Sequence, residues 1–359
     1  MRTVAVTCVK NEGAFLLEWI AHHKAVGFTD ILILSNDCQD GSDRMLDRLD
    51  ELGHITHLRN DGPYDKAGIQ FTGLKKADKH RLVRKADWVM TLDVDEFVNI
   101  HVGDGKLTDL HAALPDADAI TLTWRLFGNS ETVRYQDQPV TEQFTRCAPQ
   151  VIHWPWRAAM FKTLYRNDGT YRKLGVHRPR NPQDTGAVDP FRWFDGAGRE
   201  LDQSFKTQRV YSNYGQPNFD LVQLNHYPLG AMESYVLKAD RGRINRQTEL
   251  GMDYWVERNF NTDEDDSIAR YRPARVAISD LLREDVKLAR QHQHSVDWRH
   301  SHFRTLMQQD AYRTLFSRLL MTPPSRLISP VTARTLTGFA TLGRHGTRDA
   351  ISRPNDTAD

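Results

Sequence analysis

Between Thr3 and Trp124 the sequence alternates short, β-branched apolar runs with longer segments whose apolar residues recur at helical spacing. Thr3 to Val9 is a continuous apolar run, the pattern of a strand buried on both faces. Gly13 to Val26 places Phe15, Leu16, Trp19 and Ile20 on one helical face and stops at Gly27. Asp30 to Leu34 is a second strand. Ser42 then caps a helix carrying Met45, Leu46, Leu49 and Leu52. His54 to Leu58 is a third strand, Ile69 to Lys85 a basic amphipathic helix, and Trp88 begins a fourth strand, with Ile120 to Trp124 as a further one. Such alternation predicts an α/β fold: a mostly parallel sheet flanked by helices, with a ligand crevice at the carboxyl ends of the strands.

The fourth strand ends in chemistry. Trp88 to Ile100 reads Trp-Val-Met-Thr-Leu-Asp-Val-Asp-Glu-Phe-Val-Asn-Ile, an apolar run that delivers Asp93 and Asp95 and then Glu96. Alternate residues of a strand share a face, so the two aspartates can converge on one point. Hard oxygen donors with room for water and phosphate oxygens suit Mg2+ or Mn2+. The spacing alone is weak, because Asp116/Asp118 and Asp263/Asp265 repeat it in polar turn and loop settings. The flanking apolar strand sets Asp93 and Asp95 apart.

At 359 residues the chain can bury one large core or two. Lys plus Arg (48) balance Asp plus Glu (47), so no basic field argues for nucleic acid. Cys8, Cys38 and Cys147 are odd in number and widely spaced, which argues against a disulfide framework or a structural zinc site and for a reducing compartment. The N-terminus offers no signal-peptide core, and no apolar run reaches membrane-spanning length. The expected location is cytoplasmic, soluble or peripheral.

From about residue 126 to 220 the sequence is rich in Pro, Arg and aromatic residues, the composition of long loops over a rigid sheet. Trp124, Trp154, Trp156 and Trp193 fall in or beside this region, and for at least two of them the reading is a loop-region core. Leu221 to Leu224 is one more strand, followed by Asn225-His226-Tyr227 and a helical run from Ala231 to Arg246 on which Lys238 and Arg241 share a face. Residues 251–322 are expected to form a helical extension and 323–359 an irregular basic tail. From Ala311 to Ala350 six Arg residues and one acid, Asp349, punctuate an apolar background, which suits contact with an anionic membrane surface.

Four blocks in order resemble the family 2-like glycosyltransferases of GT-A type, especially a bacterial branch related to family 92. They are Val9-Lys10-Asn11-Glu12 with Leu17-Glu18-Trp19 and His22-His23; Ser35 through Gly41; Trp88 through Phe97; and Asn225-His226-Tyr227 with Lys238, Arg241 and Gly242. The resemblance covers roughly residues 1 to 250. It implies a GT-A (Rossmann-like nucleotide-diphospho-sugar transferase) domain with a nucleotide-binding half over 1–125 and an acceptor- and metal-completing half over 126–250. The implied activity is transfer of a sugar from a nucleotide-sugar donor, a UDP-sugar foremost, to a glycan or lipid-linked acceptor, with inversion.

In that scheme Asp95 holds the divalent cation, Mn2+ or Mg2+, and Asp93 ligates through water or contacts the ribose. His226 returns to the metal, where imidazole favours manganese. Val9, Lys10, Asn11 and Glu12 lie under the nucleotide, Asn36 or Asp37 near its base, and Lys238 and Arg241 on the diphosphate. An inverting reaction also needs a carboxylate base, for which Glu131 and Asp195 are the loop-region candidates, with Trp124 and His177 contacting the acceptor. Two other classes compete. A sugar-1-phosphate nucleotidyltransferase would carry a Gly-rich N-terminal loop with Arg and Lys, which Lys10-Asn11-Glu12-Gly13 is not. A non-catalytic binder would have no need of Asp93, Asp95 and His226 together.

Overall fold

A computed structural model describes residues 1–64, 68–184, 186–242 and 251–339. Thr3–Val9 (β1), Asp30–Ser35 (β2), Thr56–Arg59 (β3) and Trp88–Thr91 (β4) are joined by helices Gly13–Val26 (α1), Ser42–Glu51 (α2) and Ile69–Lys79 (α3). The sheet continues with Glu96–Ile100 (β5), Ala119–Leu126 (β6), Phe161–Arg166 (β7), Trp193–Phe194 (β8) and Val222–His226 (β9). Its order is β3-β2-β1-β4-β7-β6-β9-β5, with β8 added to the start of β6. The strands are parallel except β7, which runs antiparallel between β4 and β6, and β5, antiparallel to β9. The α/β class and the helical C-terminal region expected from the sequence are both observed.

Strand alternation divides the core between the two faces. Ala5, Val9, Ile31 and Ile33 pack with Leu16, Trp19 and Ile20 of α1 and with Met45, Leu46 and Leu49 of α2. Val4, Val6, Leu32 and Leu34 face the other way, against Leu74 and Ala77 of α3. The expected helix from Ile69 to Lys85 is broken at His80. That residue is extended and its ring Nδ1 accepts from the Leu82 N–H at 3.3 Å, restarting a short helix at Arg81.

Met232–Arg241 (α4), Arg272–Arg283 (α5), Val286–Leu306 (α6) and Asp310–Met321 (α7) complete the described helices that bear on the site. Helices α5 and α6 pack on α1, and α6 also on α2. Arg275 of α5 is buried and bonds to Thr141 and Glu142, with Glu18 of α1 3.5 Å away. Arg48 of α2 pairs with Asp285 at 2.6 Å. The helical extension is thus tied to the sheet's own helices. Within the expected tail, residues 330–339 are helical; Arg344, Arg348, Asp349 and the rest of 340–359, like 243–246 of the expected helix, lie outside the described residues. Among the described residues no helix is long and apolar enough to cross a membrane, and the three cysteines are unpaired.

Candidate active site

Strand β4 stops at Thr91, and the chain turns through Asp93, Val94 and Asp95 before entering β5. The turn is held from beneath. Trp19 Nε1 of α1 donates to the carbonyls of Asp93 (3.2 Å) and Glu96 (3.0 Å), and Glu96 Oε2 accepts from the Asp93 N–H at 2.9 Å. Strand β9 lies between β6 and β5 with His226 opposite Glu96, and the Tyr227 N–H donates to the Asp95 carbonyl at 2.8 Å. Backbone pairing thereby brings His226 beside the turn although it is distant in sequence.

Each aspartate has its own cation. Lys238 Nζ donates to Asp95 Oδ2 (2.7 Å) and to the Pro228 carbonyl (2.7 Å). Lys162 Nζ, from the second position of β7, reaches Asp93 Oδ2 at 2.9 Å and Glu96 Oε2 at 3.3 Å, while Gln70 Nε2 donates to Asp93 Oδ1 at 3.1 Å. Arg241, one turn beyond Lys238, donates to the Lys10 carbonyl at 2.7 Å and to Glu12. His226 Nε2 stands 3.7 Å from Asp95 Oδ1, its ring 4.2 Å from that of Trp124.

Burial would raise the Asp95 pKa, but Lys238 and then His226 hold it well below the usual carboxylate range. Burial pushes His226 down to about 3 despite Asp95, so the imidazole is neutral and able to donate a lone pair. Glu96 is pushed up to about 8 by burial against the pull of Lys162. Burial would also discharge Lys162, yet Asp93 and Glu96 hold it up to about 12.

These groups line a cavity enclosing about 1190 Å3, its mouth included, bounded by Glu12, Asp93, Asp95, Trp124, His177 and His226 together with Lys238 and Arg241. His177 is fixed by its Nδ1, which donates to the Phe161 carbonyl at 3.0 Å. Lys10 takes part through its carbonyl. Asn11 adopts a left-handed conformation (φ 55°) and its Oδ1 accepts from the Gln39 N–H at 2.7 Å, turning it toward a neighbouring cavity.

Other expected residues lie elsewhere. Val9 is buried in the core and its carbonyl already accepts from Asn36. Asn36 is equally buried: its Nδ2 donates to the Val9 and Leu34 carbonyls and its Oδ1 accepts from Asn60 at 2.6 Å, which leaves little of the side chain for a base. Asp37 accepts from the Gly62 N–H and Tyr64 and lines neither cavity. Asp195 sits beside the start of β6, at the opposite end of the sheet, where the Ala197 and Arg199 N–H groups and the Arg199 guanidinium occupy its carboxylate. Glu131 is exposed on a positive-φ turn and lines neither cavity. Trp193 is core, whereas Trp124 reaches the site.

Lys162 and Gln70 went unread in the sequence. A lysine at the second position of an otherwise apolar strand, Phe161-Lys162-Thr163-Leu164-Tyr165, is a signal that a buried acid faces it.

The model of glycosyltransferase family 92 matches residues 4–225, well over half of the 359 residues. The chain belongs to glycosyltransferase family 92. Similar curated proteins are family 92 proteins of Ricinus communis, 26% identical over 207 residues (53% of this chain, 34% of that protein), and of Oryza sativa subsp. japonica, 26% identical over 145 residues (39% and 24%). This family 92 chain therefore aligns with about a quarter to a third of the length of those relatives. Among solved structures, Staphylococcus aureus TarS 1-349 in complex with UDP-GlcNAc is 13% identical and covers 46% of each chain at a TM-score of 0.30, a likeness too slight to carry a conclusion.

Proposed function

We propose that this chain transfers a sugar from a nucleotide-sugar donor to an acceptor hydroxyl, with inversion and with a divalent cation. The observation that carries the proposal is the convergence of Asp93, Asp95, His226, Lys238 and Arg241 on one cavity at the carboxyl ends of β1, β4 and β6. Among the described residues there is no cluster of three or more side chains able to hold a metal by themselves. An ionised carboxylate and a neutral imidazole 3.7 Å apart nevertheless fit two positions of a cation whose other ligands come from water and the donor. Asp95 and His226 would hold Mn2+ or Mg2+ there, and the ion would neutralise charge on the departing diphosphate.

Lys238 and Arg241 supply further positive charge where the leaving group carries its negative charge. Trp124, whose Nε1 donates to Glu96 Oε1 at 2.7 Å, is fixed in orientation and can present an aromatic surface to a sugar ring. Lys162 and Gln70 fix the Asp93 carboxylate. Among the described residues the acids that line the cavity are Glu12, Asp93 and Asp95, and the base for inversion lies among these rather than at Glu131 or Asp195. A UDP-sugar donor and a glycan or lipid-linked acceptor belong to the same proposal.

Calorimetric titration of UDP-, GDP- and dTDP-sugars with and without Mn2+, with Asp95→Ala as control, tests it. The expected result is metal-dependent binding of one donor, weakened tenfold or more in the variant, with nucleoside diphosphate released on turnover. Release of pyrophosphate would instead mark a nucleotidyltransferase, and no binding across the panel would leave a non-catalytic protein on this fold.

A further inference from the structure

A second cavity lies beside the first. The two share Glu12, Val94, Asp95, Lys238 and Arg241 as a common wall. Most of the second cavity is apolar, lined by Phe15, Val140, Phe144, Tyr227 and Leu229, while Gln136 and Gln138 are exposed at its rim. One charged group in it is out of keeping with such surroundings. Arg299 of α6 is 5% exposed, its Cζ lies 4.6 Å from the ring centres of both Phe15 and Tyr135, and its Nε has no hydrogen-bond partner.

The other charges of this cavity are already matched. Lys238 pairs with Asp95 and Arg241 with Glu12. Asp240 accepts from Tyr312 at 2.6 Å and lies 2.9 Å from His302. Glu12 and Asp40 are the acids whose fields reach Arg299. Glu12 is bound to Arg241, and Asp40 accepts from the Gly13 and Ser42 N–H groups (both 2.9 Å) and from the Ser42 hydroxyl (2.5 Å). Arg299 is left with aromatic faces as its anionic surroundings. Such contacts offset only part of the cost of burying a guanidinium, which is recovered when an anion with matching acceptor oxygens arrives.

We propose that the second cavity receives the acceptor and that Arg299 binds an oxyanion, a phosphate or carboxylate, carried on it beside an apolar portion. The inference rests on the transferase proposal, because this cavity shares the wall that carries Asp95 and Lys238 with the cavity proposed for the donor. The ligand is then an anionic amphiphile, its charged group at Arg299 and its apolar part along Phe144 and Leu229.

Calorimetric titration of the full chain with hexyl phosphate and with hexanoate tests this. The expected result is binding of at least one, weakened tenfold or more in Arg299→Gln and less in Arg299→Lys; the tighter ligand names the oxyanion. No binding of either to the unmodified protein, or equal binding by Arg299→Gln, overturns the proposal. Should Arg299→Gln fail to fold, crystals of the unmodified protein soaked in hexyl phosphate decide. Phosphate in contact with Arg299 supports it, and phosphate elsewhere or absent overturns it. UDP binding by the unmodified protein reads the donor cavity separately, so failure with both amphiphiles alongside normal UDP binding refutes this inference alone.

Discussion

Gly13→Ala tests how firmly the C-terminal helices are built into the site. A methyl at Gly13 would stand 2.2 Å from Ser295 Oγ, 2.8 Å from Ser295 Cβ and 3.2 Å from Asp40 Oδ2. Ser295 has no room to yield: it is fully buried on α6, and its hydroxyl donates to the Asp40 carbonyl at 2.8 Å. Overpacking a tight contact costs about 1–3 kcal/mol, and losing the Ser295 hydrogen bond adds about 1 kcal/mol. The better helix propensity of alanine returns at most about 1 kcal/mol. The net expectation is a loss of about 1–3 kcal/mol, measured by urea unfolding of the full chain. Ser295→Gly removes both offending atoms, so the double variant should lose less than the sum of the single losses by at least about 1 kcal/mol. Gly13→Ala at wild-type stability, or losses that simply add, would refute the close contact between α1 and α6.

Lys162→Met should destabilise the protein by about 1–3 kcal/mol in urea unfolding, because it removes the amine's hydrogen bond to Asp93 and its contact with Glu96; no loss at all would count against the pairing. His22 and His23 are fully buried, burial lowering both pKa values and taking that of His23 to about 3. The unfolded chain binds protons below pH 6.5 that the folded chain refuses, so these two histidines lower stability as pH drops from 6.5 to 5, together contributing up to about 2.7 kcal/mol per unit, to which other buried histidines such as His226 add. A flat profile over that window would be the contrary result. Leu327 and Val331 are exposed beside Arg326 and Arg334, so deletion of residues 323–359 should reduce co-sedimentation with anionic liposomes; unchanged partitioning removes the membrane contact.

The sheet and its first helices were legible because their signals are local. Helix α1 begins and ends where Gly13 and Gly27 put its limits, and β1 matches its apolar run residue for residue. Asp93, Asp95 and His226 were legible as well, since strand ends fix their positions. Turn residues misled for a physical reason: Asn36 and Asp195 have the chemistry of ligands but spend it on protein, Asn36 on Val9, Leu34 and Asn60 and Asp195 on the turn that contains it. Arg299 and Gln70 carried no signal, because what gives each its surroundings is a partner far away in sequence.

On the proposed function, the charges around the first cavity also bear on the order in which ligands enter it. Lys238 and Arg241 sit one turn apart on α4, and each is already paired, with Asp95 and Glu12 respectively. A diphosphate that draws Lys238 away leaves the half-buried Asp95 without its cation, a cost that stands unless something replaces it. A divalent ion at Asp95 and His226 would be that replacement, freeing the ammonium for phosphate oxygens. On the proposed function, therefore, the metal requirement follows from Lys238 as much as from Asp95: with a neutral residue at position 238, Asp95 would have no cation to give up, and metal affinity in the absence of donor should rise.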